Sequence, residues 1–187
     1  AHTFPHIPLY TNARFEGTSK RGLYGDVVEE IDWSVGEVLK TLRENGLDEN
    51  TFVIFTSDNG PHHEGGADPD FFKSYGPFRG IKRDVYEGGI RIPMVAWCPG
   101  TIKAGAQSDH ISAFWDVMPT LRELNGAKEK DLENMDGISL LPTLENKGMQ
   151  KEHEWLYFEF QELGGRQAVR KGEWKLVHLD IRSDNDK

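Results

Sequence analysis

Asp58 and Asn59 stand side by side where an apolar run ends, in Thr56-Ser57-Asp58-Asn59-Gly60-Pro61. A carboxylate next to an amide carbonyl supplies hard oxygen donors, which suit Ca²⁺ or Mg²⁺ better than a soft metal. Asp-Asn-Gly is equally a common turn sequence, so the tripeptide alone leaves both readings open. Lys82 follows in Gly76-Pro77-Phe78-Arg79-Gly80-Ile81-Lys82. Its compact ammonium suits an oxyanion of the sulfate or phosphate type, and the glycines beside it let backbone approach a ligand. A lone lysine is otherwise a solvated surface residue. His6, between Pro5 and Pro8, has the chemistry of a general acid or an oxyanion donor, or of an ordinary loop residue. His62-His63-Glu64 invites a zinc reading, but adjacent histidines point apart in most backbones and the spacing matches no zinc motif. Cys98, the sole cysteine, reads as a small packed hydrophobe at a strand end.

These residues need elements to position them. The stretch to about Leu23 holds Pro5, Pro8 and Asn12 without apolar periodicity and reads as an irregular loop. Val27, Val28, Ile31, Val35, Val38, Leu39 and Leu42 then recur at helical spacing, with Asp26 near the start and Asn45-Gly46 as the stop. Thr51 to Thr56 reads as a short buried strand that delivers Asp58 and Asn59 beyond its carboxyl end, where ligands bind in open α/β sheets. From Gly60 to Gly89 the chain is Gly-rich and lacks sustained periodicity, as functional loops often do. Ile92 to Trp97 reads as a second core strand and Asp116 to Asn125 as a helix. Trp155 to Phe160, Gln167 to Arg170 and Trp174 to Leu179 are three short strand-like runs separated by turns, which predicts an antiparallel meander. Phe114, Trp115, Trp155, Phe158, Phe160 and Trp174 are expected in the core. The expected architecture is therefore α/β, a mixed and mostly parallel sheet flanked by helices, plus a small C-terminal antiparallel sheet. Residues 1–150 form the main part and 151–187 the small module, which the polar run from Arg182 to Lys187 suggests is incomplete.

Composition narrows the function classes. Hydrophobic residues at 37% and charged residues at 28% describe a globular chain rather than a disordered one. A net charge of -9 argues against non-specific nucleic-acid binding, although a local group of Lys, His and a cation can still attract an anion. No apolar run approaches the roughly 20 residues of a membrane-spanning helix. One cysteine excludes an internal disulfide. No signal peptide is visible, and the opening Ala1-His2-Thr3-Phe4-Pro5 reads as an internal segment. Nothing in the residues indicates an oligomeric state.

Taken as a set, Thr56-Ser57-Asp58-Asn59-Gly60-Pro61, Gly80-Ile81-Lys82 and Tyr86-Glu87-Gly88-Gly89-Ile90-Arg91-Ile92-Pro93 resemble type I sulfatases of the alkaline phosphatase superfamily. The likeness is strongest to the branch of arylsulfatase A and N-acetylgalactosamine-6-sulfatase. Gly17 to Asp26, Trp97-Cys98-Pro99-Gly100 and Met118-Pro119-Thr120-Leu121 extend it, so that it runs from about His6 to Leu144. The resemblance implies a sulfuric ester hydrolase acting on an aryl or carbohydrate sulfate, working outside the cytoplasm in a periplasmic, secreted or lysosomal setting. It implies Asp58 and Asn59 as ligands of Ca²⁺ (or Mg²⁺), Lys82 as the sulfate-contacting lysine, and His6 as the histidine that contacts sulfate and protonates the leaving alcohol. His62 and His63 fall where the family varies its contacts to a sulfated small molecule or glycan. The family nucleophile is a formylglycine made within Cys/Ser-x-Pro-x-Arg, and no such motif occurs in these 187 residues. The family's paired Asp ligands and its upstream Lys and His are also missing. The expectation is a C-terminal portion that is inactive and metal-poor by itself. Two alternatives stand beside it: a non-catalytic fragment that binds sulfate or glycan, and a phosphoester hydrolase of the same superfamily. The second typically carries Asp-His where this chain has Asp58-Asn59.

Overall fold

The computed structural model describes residues 2–182, so the run from 183 to 187, with the truncation expected there, lies outside the described residues. The chain divides into two compact units, one built from residues 1–51 and 56–94, the other from 52–55 and 95–187.

In the first unit, α1 spans Gly22–Glu44 and begins a turn earlier than Asp26 suggests. Asp26 is not the cap. It is buried, and its carboxylate reaches back to accept from the Gly17 and Ser19 N–H groups at 3.0 and 2.7 Å. Glu29 accepts from the Thr18 hydroxyl at 2.7 Å and Glu30 from Asn12 N–H at 2.9 Å. Positions three and four apart share one helix face, so this acidic row fastens the irregular N-terminal loop to α1. The helix stops where Asn45 and Gly46 turn their N–H groups back to the Thr41 and Arg43 carbonyls.

The stretch from 60 to 89 is less irregular than its sequence suggests. It contains α2 (Pro69–Phe72) and α3 (Glu87–Ile90). Asp68 caps α2 by accepting from the Asp70 and Phe71 N–H groups, with Pro69 at the first helical position. Helices of one turn leave no periodicity to detect, which is why the sequence pattern misses them.

β1 (Val53–Thr56) and β2 (Met94–Trp97) pair in a two-stranded sheet. Both are shorter than the apolar runs that contain them; β2 starts only after Pro93, which has no N–H to give a ladder. In the second unit α4 is Val117–Leu124, entered through a 3₁₀ turn at Phe114–Asp116, and a further short helix, α5 (Leu141–Glu145), follows. Asp116 is fully buried and accepts from Ala113 N–H, Ile138 N–H and His153 Nε2 at 2.7, 2.8 and 2.7 Å. Thr120 extends this node, donating to the Asp116 carbonyl and accepting from Leu140 N–H at 2.8 Å.

The expected meander is present: β3 (Leu156–Phe160), β4 (Arg166–Lys171) and β5 (Trp174–Leu179) form an antiparallel sheet in that order, with Phe158 opposite Ala168 and Ala168 opposite Val177. Trp115 packs on Phe158 with ring centroids 5.9 Å apart. The aromatic core expectation is corrected in part. Phe158 and Phe160 are half-buried, but Phe114, Trp115, Trp155 and Trp174 are exposed, Trp174 by 84%. Strand residues alternate between faces, so Trp174 and Leu176 share the side of the sheet opposite Lys175 and Val177.

Candidate functional site

The residues that could do chemistry gather where three backbone segments of the first unit meet. Gly60 N–H donates to the Gly89 carbonyl at 2.8 Å, Lys82 N–H to the Pro61 carbonyl at 2.8 Å, and Gly88 N–H to the Arg79 carbonyl at 2.8 Å. Segments 57–61, 79–82 and 86–89 are therefore stitched together by main chain, independent of any side chain. Only glycine permits this approach. A Cβ at Gly60 would overlap the Gly88 carbonyl oxygen, and one at Gly88 would overlap the Gly80 carbonyl oxygen.

This junction carries Asp58, Asn59 and Lys82 on adjoining backbone segments. Asp58 is exposed, and among the described residues its carboxylate has neither hydrogen bond nor ion pair. The Asn59 amide nitrogen donates to the Gly60 carbonyl at 2.9 Å, which leaves Oδ1 as the atom able to accept or ligate. The Ser57 hydroxyl donates to the Asn59 carbonyl at 3.0 Å and stiffens the turn. An unpartnered carboxylate beside an oriented amide oxygen fits a hard cation, though it supplies only two of the six to eight oxygens that Ca²⁺ takes. No group of three or more His, Cys, Asp or Glu able to hold a metal occurs among the described residues. Lys82 is half-buried and its ammonium has no ion pair among them.

His62 lies beside Lys82 in charge terms. Burial pushes its imidazole below the ordinary value; Glu64 opposes this, while Arg83, Lys82 and His63 add to it. Its Nε2 lies 3.4 Å from Glu64 Oε1 and 3.2 Å from Arg83 Nη1, and Arg83 Nη1 is 3.5 Å from the same Glu64 oxygen. His63 is exposed. His6 sits in the N-terminal loop, whose Ile7 side chain fills the space over Gly65, one residue beyond Glu64. The His6 Nδ1 is 2.8 Å from the Ile7 carbonyl. A carbonyl only accepts, so Nδ1 carries a proton and Nε2 is the nitrogen left to exchange one.

Main-chain hydrogen bonds thus join the Asp58-Asn59 turn to the Lys82 segment, His62 follows directly after Pro61, and Ile7, next to His6, packs on Gly65. Cys98 is buried, in keeping with a packing role. The sequence pattern did not single out Arg83 as a site residue, and it weighed Glu64 only as part of a zinc group. The available signal was the alternation of charge in Lys82-Arg83-Asp84 directly after the glycine segment.

Residues 2–127 match the sulfatase family profile, and residues 75–185 match one described as N-sulphoglucosamine sulphohydrolase, C-terminal. N-acetylgalactosamine-6-sulfatase of Mus musculus is 41% identical over 93% of this chain, and steryl-sulfatase of Homo sapiens 39% over 81%. The chain spans about a third of the first relative's length and a quarter of the second's, 32% and 26%. Among solved structures, Ps i-CgsB in complex with k-i-k-neocarrahexaose superposes with a TM-score of 0.78 at 27% identity, covering 98% of this chain and 42% of that one. The glycine junction, the oxygen pair and the lysine occur in a fold of alkaline-phosphatase type, and with two thirds of its length matched by the family profile this chain belongs to the sulfatase family.

Proposed function

We propose that the protein to which this chain belongs hydrolyses sulfuric esters, and that residues 1–187 supply one wall of its sulfate site. The observation that carries this reading is the glycine junction, which links the Asp58-Asn59 turn to Lys82 by main-chain hydrogen bonds. Asp58 and Asn59 would hold Ca²⁺, or Mg²⁺, which when bound supplies positive charge to the sulfate oxygens. Lys82 would contact the sulfate and steady the charge that builds on the bridging oxygen as the sulfur–oxygen bond breaks. His6, with Nδ1 committed to the Ile7 carbonyl, would present a protonated Nε2 to the leaving alcohol. The attacking group, a formylglycine, would come from outside these residues, since the 187 residues contain no Cys/Ser-x-Pro-x-Arg.

His62 and His63 would touch the alcohol part of the substrate, a sulfated small molecule or glycan. The k-i-k-neocarrahexaose in the Ps i-CgsB complex supports the glycan class. The same reading takes β1 and β2 as strands of a larger, mostly parallel sheet, treats 1–150 and 151–187 as its two structural parts, and locates the protein outside the cytoplasm. No helix among the described residues is long and apolar enough to cross a membrane.

The test is turnover of para-nitrophenyl sulfate and para-nitrophenyl phosphate by the complete protein, before and after chelation. The expected result is sulfate ester hydrolysis that is lost on chelation and restored by Ca²⁺. Phosphate turnover with stoichiometric zinc would overturn the reading, because zinc prefers nitrogen and sulfur ligands to the Asp58-Asn59 pair.

A further inference from the structure

We propose that Asp84 is the residue that positions Lys82, by closing the short turn on which the lysine stands. This rests on the reading of Lys82 given above and goes beyond it, since Asp84 touches neither sulfate nor cation in that reading.

Lys82 is the second residue of a turn that runs from Ile81 to Asp84. The Asp84 N–H donates to the Ile81 carbonyl at 2.9 Å. The Asp84 carboxylate in turn accepts from the Ile81 N–H at 2.9 Å. The ends of the turn are thus tied together twice, once through main chain and once through a side chain. Arg83, the third residue, has φ of 75°, whereas Lys82 has a negative φ. That is the pattern of a type II turn, whose third position favours glycine or asparagine. An arginine there is strained, and such a conformation persists only where its surroundings over-determine it.

The surroundings do so here. Lys82 N–H is bound to the Pro61 carbonyl at 2.8 Å. Gly89 lies so close to the turn that a Cβ there would overlap the carbonyl oxygens of Asp84 and Ile81. Val85, next along the chain, is buried and anchors the far end. Of these restraints, the Asp84 carboxylate is the one that acts through a side chain on the turn itself. Without it the Ile81 N–H loses its acceptor, and a single hydrogen bond closes the turn against the strain at Arg83. The Lys82 ammonium rides on a flexible four-carbon stem, so a small rotation at Cα is magnified at Nζ. Asp84 acts as an acceptor in a set place rather than as a charge.

The test is a double-mutant cycle on the complete enzyme, read as kcat/KM for para-nitrophenyl sulfate. Asp84→Ala should lower kcat/KM about 10- to 100-fold, the loss expected when a catalytic group is misplaced by roughly 1 Å. In a Lys82→Ala background the same substitution should cost less than about twofold, because no ammonium remains to misplace. Asp84→Asn keeps an oxygen for the Ile81 N–H and should stay within about threefold of wild type. Should Asp84→Ala fail to fold, Asp84→Glu carries the test, since it keeps the charge but moves the accepting oxygen. Where Lys82→Ala turns over too slowly, the inhibition constant of inorganic sulfate reads the same cycle. Equal losses in both backgrounds mark a merely structural role and overturn the inference. So does an Asn variant as weak as the Ala one, because charge rather than position would then be acting. Both outcomes leave the hydrolase reading intact. Full activity of Lys82→Ala removes the role assigned to Lys82 and the inference with it, and absence of any sulfate ester cleavage removes the hydrolase reading as well.

Discussion

Lys82 and His62 place opposite demands on one patch of surface. In the proposed reading the lysine stays charged to attract sulfate, and its field, with those of Arg83 and His63, disfavours a second positive charge on the half-buried imidazole. Burial is the largest cause of the lowered His62 value and Glu64 is the one neighbour that opposes it. In the folded protein His62 should accordingly titrate below its ordinary 6.5 when followed by NMR of its ring carbons. Glu64→Gln should lower the midpoint further, and Arg83→Ala should raise it. The sign for stability follows: a depressed imidazole favours the neutral native state, so its contribution is present above the ordinary histidine range and is lost as pH falls through the folded value. A midpoint at or above the ordinary value in the wild type would contradict the burial argument.

At the scale of elements, the site depends on main chain more than on helices or strands. Segments 57–61, 79–82 and 86–89 carry no sheet ladder between them, yet three hydrogen bonds of 2.8 Å bind them. Gly60 and Gly88 make that contact possible because neighbouring carbonyl oxygens occupy the space of a side chain. Gly60→Ala should cost about 1–3 kcal/mol, as overpacking does elsewhere, and lower the melting temperature by several degrees. Activity should fall further than stability predicts, because the displaced turn carries Asp58 and Asn59. A variant with full activity and an unshifted melting curve would show that the junction yields easily. The motif was legible as a set of glycines near a lysine. The reason for each glycine was not, since which backbones approach one another is a property of the folded loops.

At the scale of the whole molecule, the second unit is organised by a polar node. Asp116 accepts from residues three, twenty-two and thirty-seven positions away, Ala113, Ile138 and His153. Removing a fully buried carboxylate leaves those donors unpaired, so Asp116→Ala should destabilise by roughly 3–5 kcal/mol in urea unfolding, and Asp116→Asn, which keeps an acceptor, by less. A loss under about 1 kcal/mol would mean that water replaces the carboxylate. Local order alone determined much else. The apolar period drew α1, and short β-branched and aromatic runs drew the meander and its turns. The ordered string of Asp58-Asn59, Lys82 and Glu87-Gly88-Gly89 marked the family, because residue types in a fixed order along the chain are legible without any tertiary contact. Tertiary structure decided what depends on contacts far apart in the chain. It turned Asp26 inward to hold a loop, put Trp174 on the open face of a sheet, and set Glu64 and Arg83 beside His62. None of these follows from a periodicity or a motif, because each reflects which distant backbone or charge stands opposite the residue once the loops have closed.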